Sequence, residues 1–132
     1  MKRILIIDDD PEYHDLLGDF FKILGCECSF LLEGSKTIEV IRDFKPDLVV
    51  LDILMPGLTG RTIYDAVREE FGYCIPVIIC SGTNMTFKKL KDDLIAYCPK
   101  PVNLKQMEDE VNRLIEMAAE CRVREIDESD LD

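Results

Sequence analysis

The sequence lacks the long apolar run of a membrane span and has few basic side chains. Lys and Arg number 16 against 27 Asp and Glu, which gives a formal net charge of −11. This charge disfavours direct contact with a nucleic acid backbone. No apolar run approaches the roughly 20 residues of a membrane helix, and Met1, Lys2 and Arg3 lead into a strand-like segment rather than a signal peptide. We expect a cytoplasmic protein that contacts neither nucleic acid nor a membrane.

The histidine and cysteine content argues against a zinc site. The one histidine, His14, lies in a helical pattern, far along the chain from the Cys-x-Cys pair of Cys26 and Cys28. The other four cysteines show no paired spacing, and Cys80 and Cys98 adjoin apolar runs that are typical of buried strands. We therefore predict that the cysteines are reduced core thiols and that His14 is a solvated helix residue.

The hydrophobic pattern predicts one α/β domain. With 132 residues and 47% hydrophobic content, the chain can bury one contiguous core. Unbroken apolar runs at 4–7, 48–51 and 77–80 are expected for strands buried on both faces of a parallel sheet. Residues 28–32 and 95–98 predict two more strands. Because strands and helical patterns alternate, we predict a doubly wound α/β sandwich with a five-stranded parallel sheet.

Apolar residues recur at helical spacing in most of the segments between these strands. The predicted helices span residues 11–24, 38–44, 63–71 and 104–118. Pro11 suits the first turn of the first helix, and Asn103 with Gln106 resembles a capping box before the last one. Residues 83–93 fit neither period well, so we expect a short or irregular helix there. Residues 125–132 are acidic and have no packing pattern, which predicts disorder or a cut linker.

Polar residues follow the predicted strands at their carboxyl ends. They are Asp8, Asp9 and Asp10 after strand one, Asp52 after strand three, Ser81 after strand four and Lys100 after strand five. Ligands of open parallel sheets bind at this edge. Carboxylates this close repel one another unless a cation lies among them, and hard oxygen ligands favour Mg²⁺ over zinc. With Lys100 and Ser81 the set suits the oxygens of a transferring phosphoryl group, with Asp52 as nucleophile.

Each of these residues also has a simpler interpretation when it is taken alone. The three consecutive aspartates fit a charge cluster at a helix N-terminus, and Asp52 fits a turn cap. Ser81 fits an ordinary loop hydroxyl, and Lys100, between two prolines, fits a surface lysine. Their joint placement at strand ends favours the phosphoryl-transfer interpretation.

Four motifs occur in order along the chain. They are Ile4-Leu-Ile-Ile-Asp-Asp-Asp-Pro11, Asp47-Leu-Val-Val-Leu-Asp-Ile-Leu-Met-Pro-Gly57 with Gly60, Val77-Ile-Ile-Cys-Ser-Gly82, and Tyr97-Cys-Pro-Lys-Pro101. As an ordered set they resemble the receiver domains of two-component response regulators, over residues 2–119. The resemblance implies a flavodoxin-like three-layer sandwich with strand order 2-1-3-4-5. It also implies a receiver domain over residues 1–121, followed by an acidic tail or truncated linker over 122–132.

The resemblance further implies how the acidic residues act. Asp9, Asp52 and the backbone carbonyl of Leu54 would bind Mg²⁺ directly, and Asp8 would help through water. Asp52 would accept the phosphoryl group from the phosphohistidine of a sensor histidine kinase or a histidine phosphotransfer protein. The protein would then be a phospho-accepting regulator rather than a metabolic enzyme.

The remaining motif residues resemble the family's switch elements. Ser81 would move to hydrogen-bond the new phosphoryl oxygens, Lys100 would pair with another oxygen, and Tyr97 would be the aromatic residue that swings inward. The Lys100-Pro101 bond would be cis. The output would lie on the face around strand five, and the protein could form a phosphorylation-dependent dimer. In this family the fourth helix, which lies between Ser81 and Lys100, commonly forms the dimer or output face. The segment from Ser81 to Lys100 is shorter than usual, and the sequence does not identify a downstream target.

Two positions resemble those with which the family tunes water access to the phosphoryl group. They are Leu54 and Thr83, two residues after Asp52 and Ser81 respectively. Because neither is an acid or an amide, we predict slow autodephosphorylation.

Two rival functions are open to a chain of this pattern. A haloacid-dehalogenase-like phosphohydrolase would use Asp8 of an Asp8-x-Asp10 motif as its nucleophile, but that scheme leaves Asp52 without a role. A flavodoxin-like FMN protein would need a hydroxyl-rich phosphate loop after strand one, where this chain has acids.

Overall fold

The computed structural model describes residues 1–55, 59–82 and 92–130. Its strands are β1 (Arg3–Ile7), β2 (Glu27–Leu31), β3 (Leu48–Leu51), β4 (Val77–Ile79) and β5 (Ile95–Tyr97). Its helices are α1 (Pro11–Ile23), α2 (Thr37–Phe44), α3 (Gly60–Phe71) and α4 (Leu104–Asp130). All five predicted strands and the first three well-patterned helices are therefore confirmed to within a few residues, and the fourth of these helices begins where it was predicted to begin. The irregular helix predicted over 83–93 lies, except for its last two residues, outside the described residues.

All five strands belong to one parallel sheet in the order β2-β1-β3-β4-β5. This confirms the predicted fold class and strand order. The register places Ile7, Leu51, Ile79 and Tyr97 side by side across the sheet. The residues that follow these four positions are therefore brought to one edge of the sheet, where open α/β folds bind their ligands.

Both faces of the sheet are covered, which explains the unbroken apolar runs of the central strands. One face packs against α1 and α4 through Ile4, Ile6, Leu48, Val50, Ile78, Leu17, Phe21, Met107, Val111 and Leu114. The other face packs against α2 and α3 through Leu5, Ile7, Val49, Leu51, Val77, Ile79, Ile41, Ile63 and Val67. Each of these side chains contributes about 1.5–3 kcal/mol when it is removed from water. The two layers thus hold the central strands, and with them the strand ends, in place.

Side-chain caps fix where three helices begin. The Asp10 carboxylate accepts a hydrogen bond from the Glu12 N–H at 2.9 Å and caps α1. Thr59 accepts from the Thr62 N–H before α3. The Asn103 side chain accepts from the Gln106 N–H at 3.0 Å, which confirms the predicted start of α4. Such caps typically contribute about 1 kcal/mol each.

The last helix is longer than predicted. It runs from Leu104 to Asp130, so the expectation of disorder from residue 125 is wrong as far as residue 130. The apolar stripe of α4 ends at Ala118, the last fully buried residue in the part of the helix whose side chains are described, up to residue 126. The periodicity therefore marked the packed part of the helix and missed its solvent-exposed continuation.

One disulfide contradicts the prediction that the cysteines are reduced. Cys74, in the loop between α3 and β4, is bonded to Cys121 in α4, with their Cα atoms 5.6 Å apart. The partners are 47 residues apart in sequence, so local spacing could not indicate the pairing. The other cysteines are free, and Cys80 and Cys98 are fully buried in the core, as predicted.

Among the described residues, no helix combines the length and the apolarity that a membrane crossing requires.

Candidate functional site

Three carboxylates meet at the carboxyl edge of the sheet. Asp8 follows β1 and Asp52 follows β3, and each of Asp8, Asp9 and Asp52 offers an oxygen within 4.8 Å of the others. Asp8 and Asp52 are buried, with exposed fractions of 2% and 5%, whereas Asp9 is exposed. The predicted cluster of acids therefore exists, and two of its three carboxylates lie where little water reaches them.

Backbone hydrogen bonds extend the sheet past the ends of its strands and hold these aspartates. The Asp52 N–H donates to the Ile7 carbonyl at 2.9 Å, and the Asp8 N–H donates to the Leu31 carbonyl at 3.0 Å. The Asp8 carboxylate in turn accepts from the Asp10 N–H at 2.9 Å. Asp10 itself caps α1 instead of joining the cluster, so the simpler interpretation as a helix N-terminal acid is correct for Asp10.

Lys100 places its ammonium between the two buried carboxylates. Its Nζ atom lies 2.7 Å from an oxygen of Asp8 and 3.4 Å from an oxygen of Asp52. The ammonium also lies 4.0 Å from the centre of the Tyr13 ring, and the side chain is only 15% exposed. The alternative interpretation as a surface lysine is therefore wrong. The Lys100-Pro101 peptide bond is cis, as the resemblance implied.

The environment of Lys100 keeps it charged. Burial lowers the pKa of Lys100, but the hydrogen bond to Asp8 and the negative charges of Asp8 and Asp52 outweigh this effect, and the pKa is raised above 10.5. Lys100 therefore supplies a fixed positive charge at neutral pH.

Ser81 carries a buried hydroxyl at the same edge of the sheet. Ser81 is 1% exposed, and its Oγ atom has no hydrogen-bond partner within the described ranges. A buried polar atom without a partner costs about 1–3 kcal/mol. The main chain of Ser81 is held firmly, because its carbonyl accepts hydrogen bonds from the Lys100 N–H at 3.0 Å and the Tyr97 hydroxyl at 3.4 Å. An unsatisfied hydroxyl on a fixed backbone suits a ligand that accepts a hydrogen bond.

The loop after Asp52 depends on a close backbone contact. The Leu54 N–H donates to the Asp52 carboxylate at 3.1 Å, and the Gly60 N–H donates to the Ile53 carbonyl at 2.9 Å. A Cβ atom on Gly60 would lie 2.5 Å from the Ile53 Cα and 2.6 Å from the Asp52 carbonyl oxygen. Only glycine fits here without a backbone shift, so Gly60 sets how closely the start of α3 approaches the residues after β3. Pro56, Gly57 and Thr83 lie outside the described residues.

Two residues of α1 contribute to the site without having been predicted there. Tyr13 supports the Lys100 ammonium, although its helical spacing indicated only a core-facing residue. The Nε2 atom of His14 lies 2.6 Å from the Asp8 carbonyl oxygen, and its ring stacks on Phe30 at 5.2 Å between centroids. His14 is half-buried, so its description as a solvated residue is wrong. Their nearness to the three aspartates along the chain was the only available signal.

The sequence matches one known protein family and resembles several known proteins. The sequence model of the response regulator receiver domain matches residues 4–112. The chain is 32% identical over 123 residues to the Regulator of RpoS of Escherichia coli, covering 91% of this chain and 34% of that protein. It is 29% identical over 85 residues to the DNA-binding response regulator MtrA of Mycolicibacterium smegmatis, covering 64% and 36% respectively. The chain thus spans about a third of the length of these relatives.

Solved structures give the same fold. A CheY-like receiver domain protein from Methanospirillum hungatei superposes with a TM-score of 0.80 at 21% identity, covering 91% of this chain and 98% of that one. The response regulator protein TrrA from Thermotoga maritima, in complex with Mg²⁺-BeF, superposes with a TM-score of 0.77 at 27% identity. That match covers 86% of this chain and 99% of TrrA. The first of these similarities bears on the fold alone.

Proposed function

This chain belongs to the response regulator receiver domain family, and from that premise we propose that it is a phosphorylation switch with Asp52 as the phosphoacceptor. The observation that carries the proposal is the position of the Asp52 carboxylate. It is buried, lies 3.4 Å from the Lys100 ammonium and has the oxygens of Asp8 and Asp9 within 4.8 Å. A nucleophile there faces both a fixed cation and a set of metal-ligating oxygens.

The residues at the site fit Mg²⁺. Asp9, Asp52 and the backbone carbonyl of Leu54 would hold the ion directly, and Asp8 would hold it through water. The donors are hard oxygens with a net negative charge, which is what Mg²⁺ prefers. Bound there, Mg²⁺ would offset the carboxylate charges and stabilise the phosphoryl oxygens. The complex of TrrA with Mg²⁺-BeF supports the same chemistry in a relative.

Phosphoryl transfer at Asp52 is a displacement at phosphorus. A carboxylate oxygen of Asp52 forms the new P–O bond while the P–N bond of the donor phosphohistidine breaks, and the electron pair returns to the imidazole nitrogen. The Lys100 ammonium lies near enough to Asp52 to pair with a phosphoryl oxygen. The protein supplies position and charge rather than acid–base groups, as in other phosphoryl-transfer sites.

Ser81 and Tyr97 would convert the new phosphoryl group into a change of surface. The Ser81 hydroxyl has no hydrogen-bond partner among the described residues and can donate, and the Tyr97 hydroxyl donates to the Ser81 carbonyl. Movement of Ser81 toward the phosphoryl oxygens would therefore disturb a contact that Tyr97 makes. Tyr97 lies on the edge strand β5, so the change would be read out on that face.

We extend the proposal to the partners of the protein and to the lifetime of its phosphorylated state. The phosphodonor would be a sensor histidine kinase or a histidine phosphotransfer protein, and the phosphorylated protein could form a dimer. The receiver domain would occupy residues 1–121, with the end of α4 continuing beyond it. Because Leu54 places no acid or amide beside Asp52, the acyl phosphate would be lost slowly. The comparisons give no support to the phosphohydrolase alternative with Asp8 as its nucleophile.

Intact mass after treatment with acetyl phosphate and Mg²⁺ tests the proposal. The wild type should gain one phosphoryl group, and the gain should disappear in Asp52→Asn and when EDTA removes the metal. Asp10→Asn is the matched control, because asparagine also caps helices well and Asp10 lies outside the cluster. A mass gain that survives in Asp52→Asn would overturn the assignment of the acceptor.

A further inference from the structure

Two cysteines and a glutamate lie close together where α4 passes the loop between α3 and β4. Cys74, Cys121 and Glu125 each offer a sulfur or an oxygen atom, and these atoms all lie within 4.8 Å of one another. Cys121 and Glu125 are four residues apart in α4, so they project from the same face of the helix, one turn apart. Cys74 comes from the loop and is bonded to Cys121. The cluster therefore joins two elements that are remote in sequence.

The loop holds Cys74 in place without help from the disulfide. Cys74 is only 6% exposed. The guanidinium of Arg68 donates to the carbonyls of Gly72 and Ile75, at 3.3 and 2.5 Å, and these two residues lie on either side of Cys74. Arg68 also pairs with the buried carboxylate of Asp92 at 2.8 Å. Because none of these contacts involves a sulfur atom, Cys74 should keep its position when the bond is reduced.

We propose that, when the Cys74–Cys121 disulfide is reduced, the two thiolates and the Glu125 carboxylate bind one Zn²⁺ ion, with water as the fourth ligand. Zn²⁺ is commonly held in tetrahedral sites by thiolate sulfur and carboxylate oxygen, whereas Mg²⁺ takes oxygen ligands. Cys121 is half-buried and Glu125 is exposed, which leaves the outer side of the cluster open to water. This proposal does not depend on phosphoryl acceptance at Asp52.

The spacing of the three side chains suits a tetrahedral ion. With ordinary Zn–S and Zn–O bond lengths, neighbouring ligand atoms are about 3.6–3.8 Å apart. The Glu125 carboxylate already lies within 4.8 Å of both sulfurs. The Cα atoms of Cys74 and Cys121 are 5.6 Å apart, so rotation of the two reduced side chains can bring both sulfurs to one ion. Glu125 takes part in a further interaction, and a carboxylate has a second oxygen for it.

The chemistry couples thiol–disulfide exchange to metal binding. The first thiolate of a dithiol reductant forms a mixed disulfide with Cys121 and displaces the Cys74 thiolate, and the second thiol releases Cys121. The reductant becomes a cyclic disulfide, and two electrons and two protons pass to the protein. Zn²⁺ then displaces the protons of the two thiols. Oxidised glutathione reverses the sequence: the protein disulfide forms again, two glutathione thiolates leave and Zn²⁺ is released.

The cluster is remote from the carboxylates around Asp52. Cys74 precedes the start of β4, whereas Asp52 follows the end of β3, and these two strands are parallel neighbours. The two positions are therefore at opposite edges of the sheet. Because one site offers thiolates and the other offers oxygens alone, we expect Zn²⁺ and Mg²⁺ to bind at different places. Cys74 and Cys121 are 47 residues apart, so their spacing did not indicate a zinc site.

Titration of the whole chain with Co²⁺ tests the proposal, because Co²⁺ takes the place of Zn²⁺ and is coloured. The protein is reduced with dithiothreitol, freed of reductant without oxygen, and titrated in excess Mg²⁺, which occupies oxygen-only sites. We expect one Co²⁺ ion per chain, with a thiolate-to-cobalt charge-transfer band that one equivalent of Zn²⁺ removes. The oxidised protein should give no such band. Oxidised glutathione should release the Zn²⁺ to a chromogenic chelator.

Variants assign the ligands. Cys74→Ser and Cys121→Ser should abolish the charge-transfer band, whereas Cys26→Ser, which removes a free cysteine, should keep it. Glu125→Gln changes an exposed side chain and should raise the Kd for Zn²⁺ by at least about tenfold, since loss of an outer partner alone typically costs this much. Its matched control is Glu116→Gln, an exposed acid of the same helix outside the cluster, which should bind as the wild type does.

Three results would overturn the proposal. One is the absence of a charge-transfer band in the reduced wild type. Another is a band that survives in Cys121→Ser, or an unchanged Kd in Glu125→Gln. The third is Zn²⁺ binding that is kept in Cys74→Ser and lost in Asp52→Asn, which would place the ion among the carboxylates at the other edge of the sheet.

Discussion

The ammonium of Lys100 lies closer to Asp8 than to Asp52, at 2.7 Å against 3.4 Å. Asp8 therefore positions the lysine, and the weaker contact with Asp52 would leave an oxygen of this proposed acceptor more easily available to a phosphoryl group. The ion pair also joins the end of β1 to the loop after β5. Substitution of Asp8 should change metal binding, substitution of Gly60 should change stability, and substitution of Ser81 should change both stability and phosphorylation.

Replacement of Asp8 by asparagine should weaken Mg²⁺ binding. The substitution removes one of the three acidic groups of the cluster and, among the described residues, leaves Lys100 with Asp52 as its carboxylate partner. We expect the Kd for Mg²⁺ to rise by about 10-fold or more, as is typical when an outer partner of a metal site is lost. Calorimetric titration measures this change, with Asp10→Asn as the control. An unchanged Kd in Asp8→Asn would show that Asp8 takes no part in holding the metal.

Replacement of Gly60 by alanine should destabilise the domain. Helix propensity alone would favour alanine in α3 by up to about 1 kcal/mol. The contacts of 2.5 and 2.6 Å that a Cβ would make with the backbone at Ile53 and Asp52 oppose this gain. We expect a net loss of about 1–3 kcal/mol in the free energy of unfolding, measured with urea, together with slower phosphorylation. Gly82→Ala is the control, because a Cβ there would have no atom of the described residues within 4 Å.

Replacement of Ser81 by alanine should have opposite effects on stability and on function. The buried Oγ atom has no partner within the described residues, so its removal should leave the unmodified domain as stable as before or stabilise it by about 1 kcal/mol. The phosphorylated state should lose a hydrogen bond, and acetyl phosphate should label the variant more slowly. Urea unfolding and the rate of labelling separate the two effects. Lower stability of the unmodified variant would mean that Ser81 has a structural role instead.

High pH should destabilise the domain through its buried thiols. Burial raises the pKa of Cys80 to about 12 and that of Cys28 and Cys98 to about 11, from an ordinary value of 9.0. The folded state thus keeps protons that the unfolded chain releases above pH 9. The stability contributed by these thiols is fully present below pH 9 and should be lost as the pH rises toward 11 and beyond, with a slope of up to about 1.4 kcal/mol per pH unit for each thiol. Urea unfolding midpoints that stay constant between pH 8 and 10.5 would contradict this.

Much of the site could be predicted because its residues follow strands that the apolar runs mark clearly. Asp8 and Asp52 come directly after such runs, and the parallel register then brings them together. Lys100 follows the edge strand β5. Its place in the site was predicted from the resemblance as much as from its position after this strand. The burial of Ser81 was not evident, since a serine before a glycine is typical of exposed loops.

Other features depend on contacts that are remote in sequence. The Cys74–Cys121 bond spans 47 residues and joins a loop to a helix face, so no spacing rule indicates it. The pair of Arg68 and Asp92 likewise joins α3 to the residues just before β5. The contact of His14 with the Asp8 carbonyl depends on how α1 lies beside β1, which the sequence pattern does not specify.

Mapping the phosphorylated residue tests the central claim most directly. The protein is labelled with acetyl phosphate and Mg²⁺, the acyl phosphate is reduced with borohydride, and the digested peptides are sequenced by mass spectrometry. We predict that the reduced residue is Asp52 alone, in a peptide that contains Leu51 and Ile53. Modification of Asp8 in place of Asp52 would contradict the account and favour a phosphohydrolase-like nucleophile.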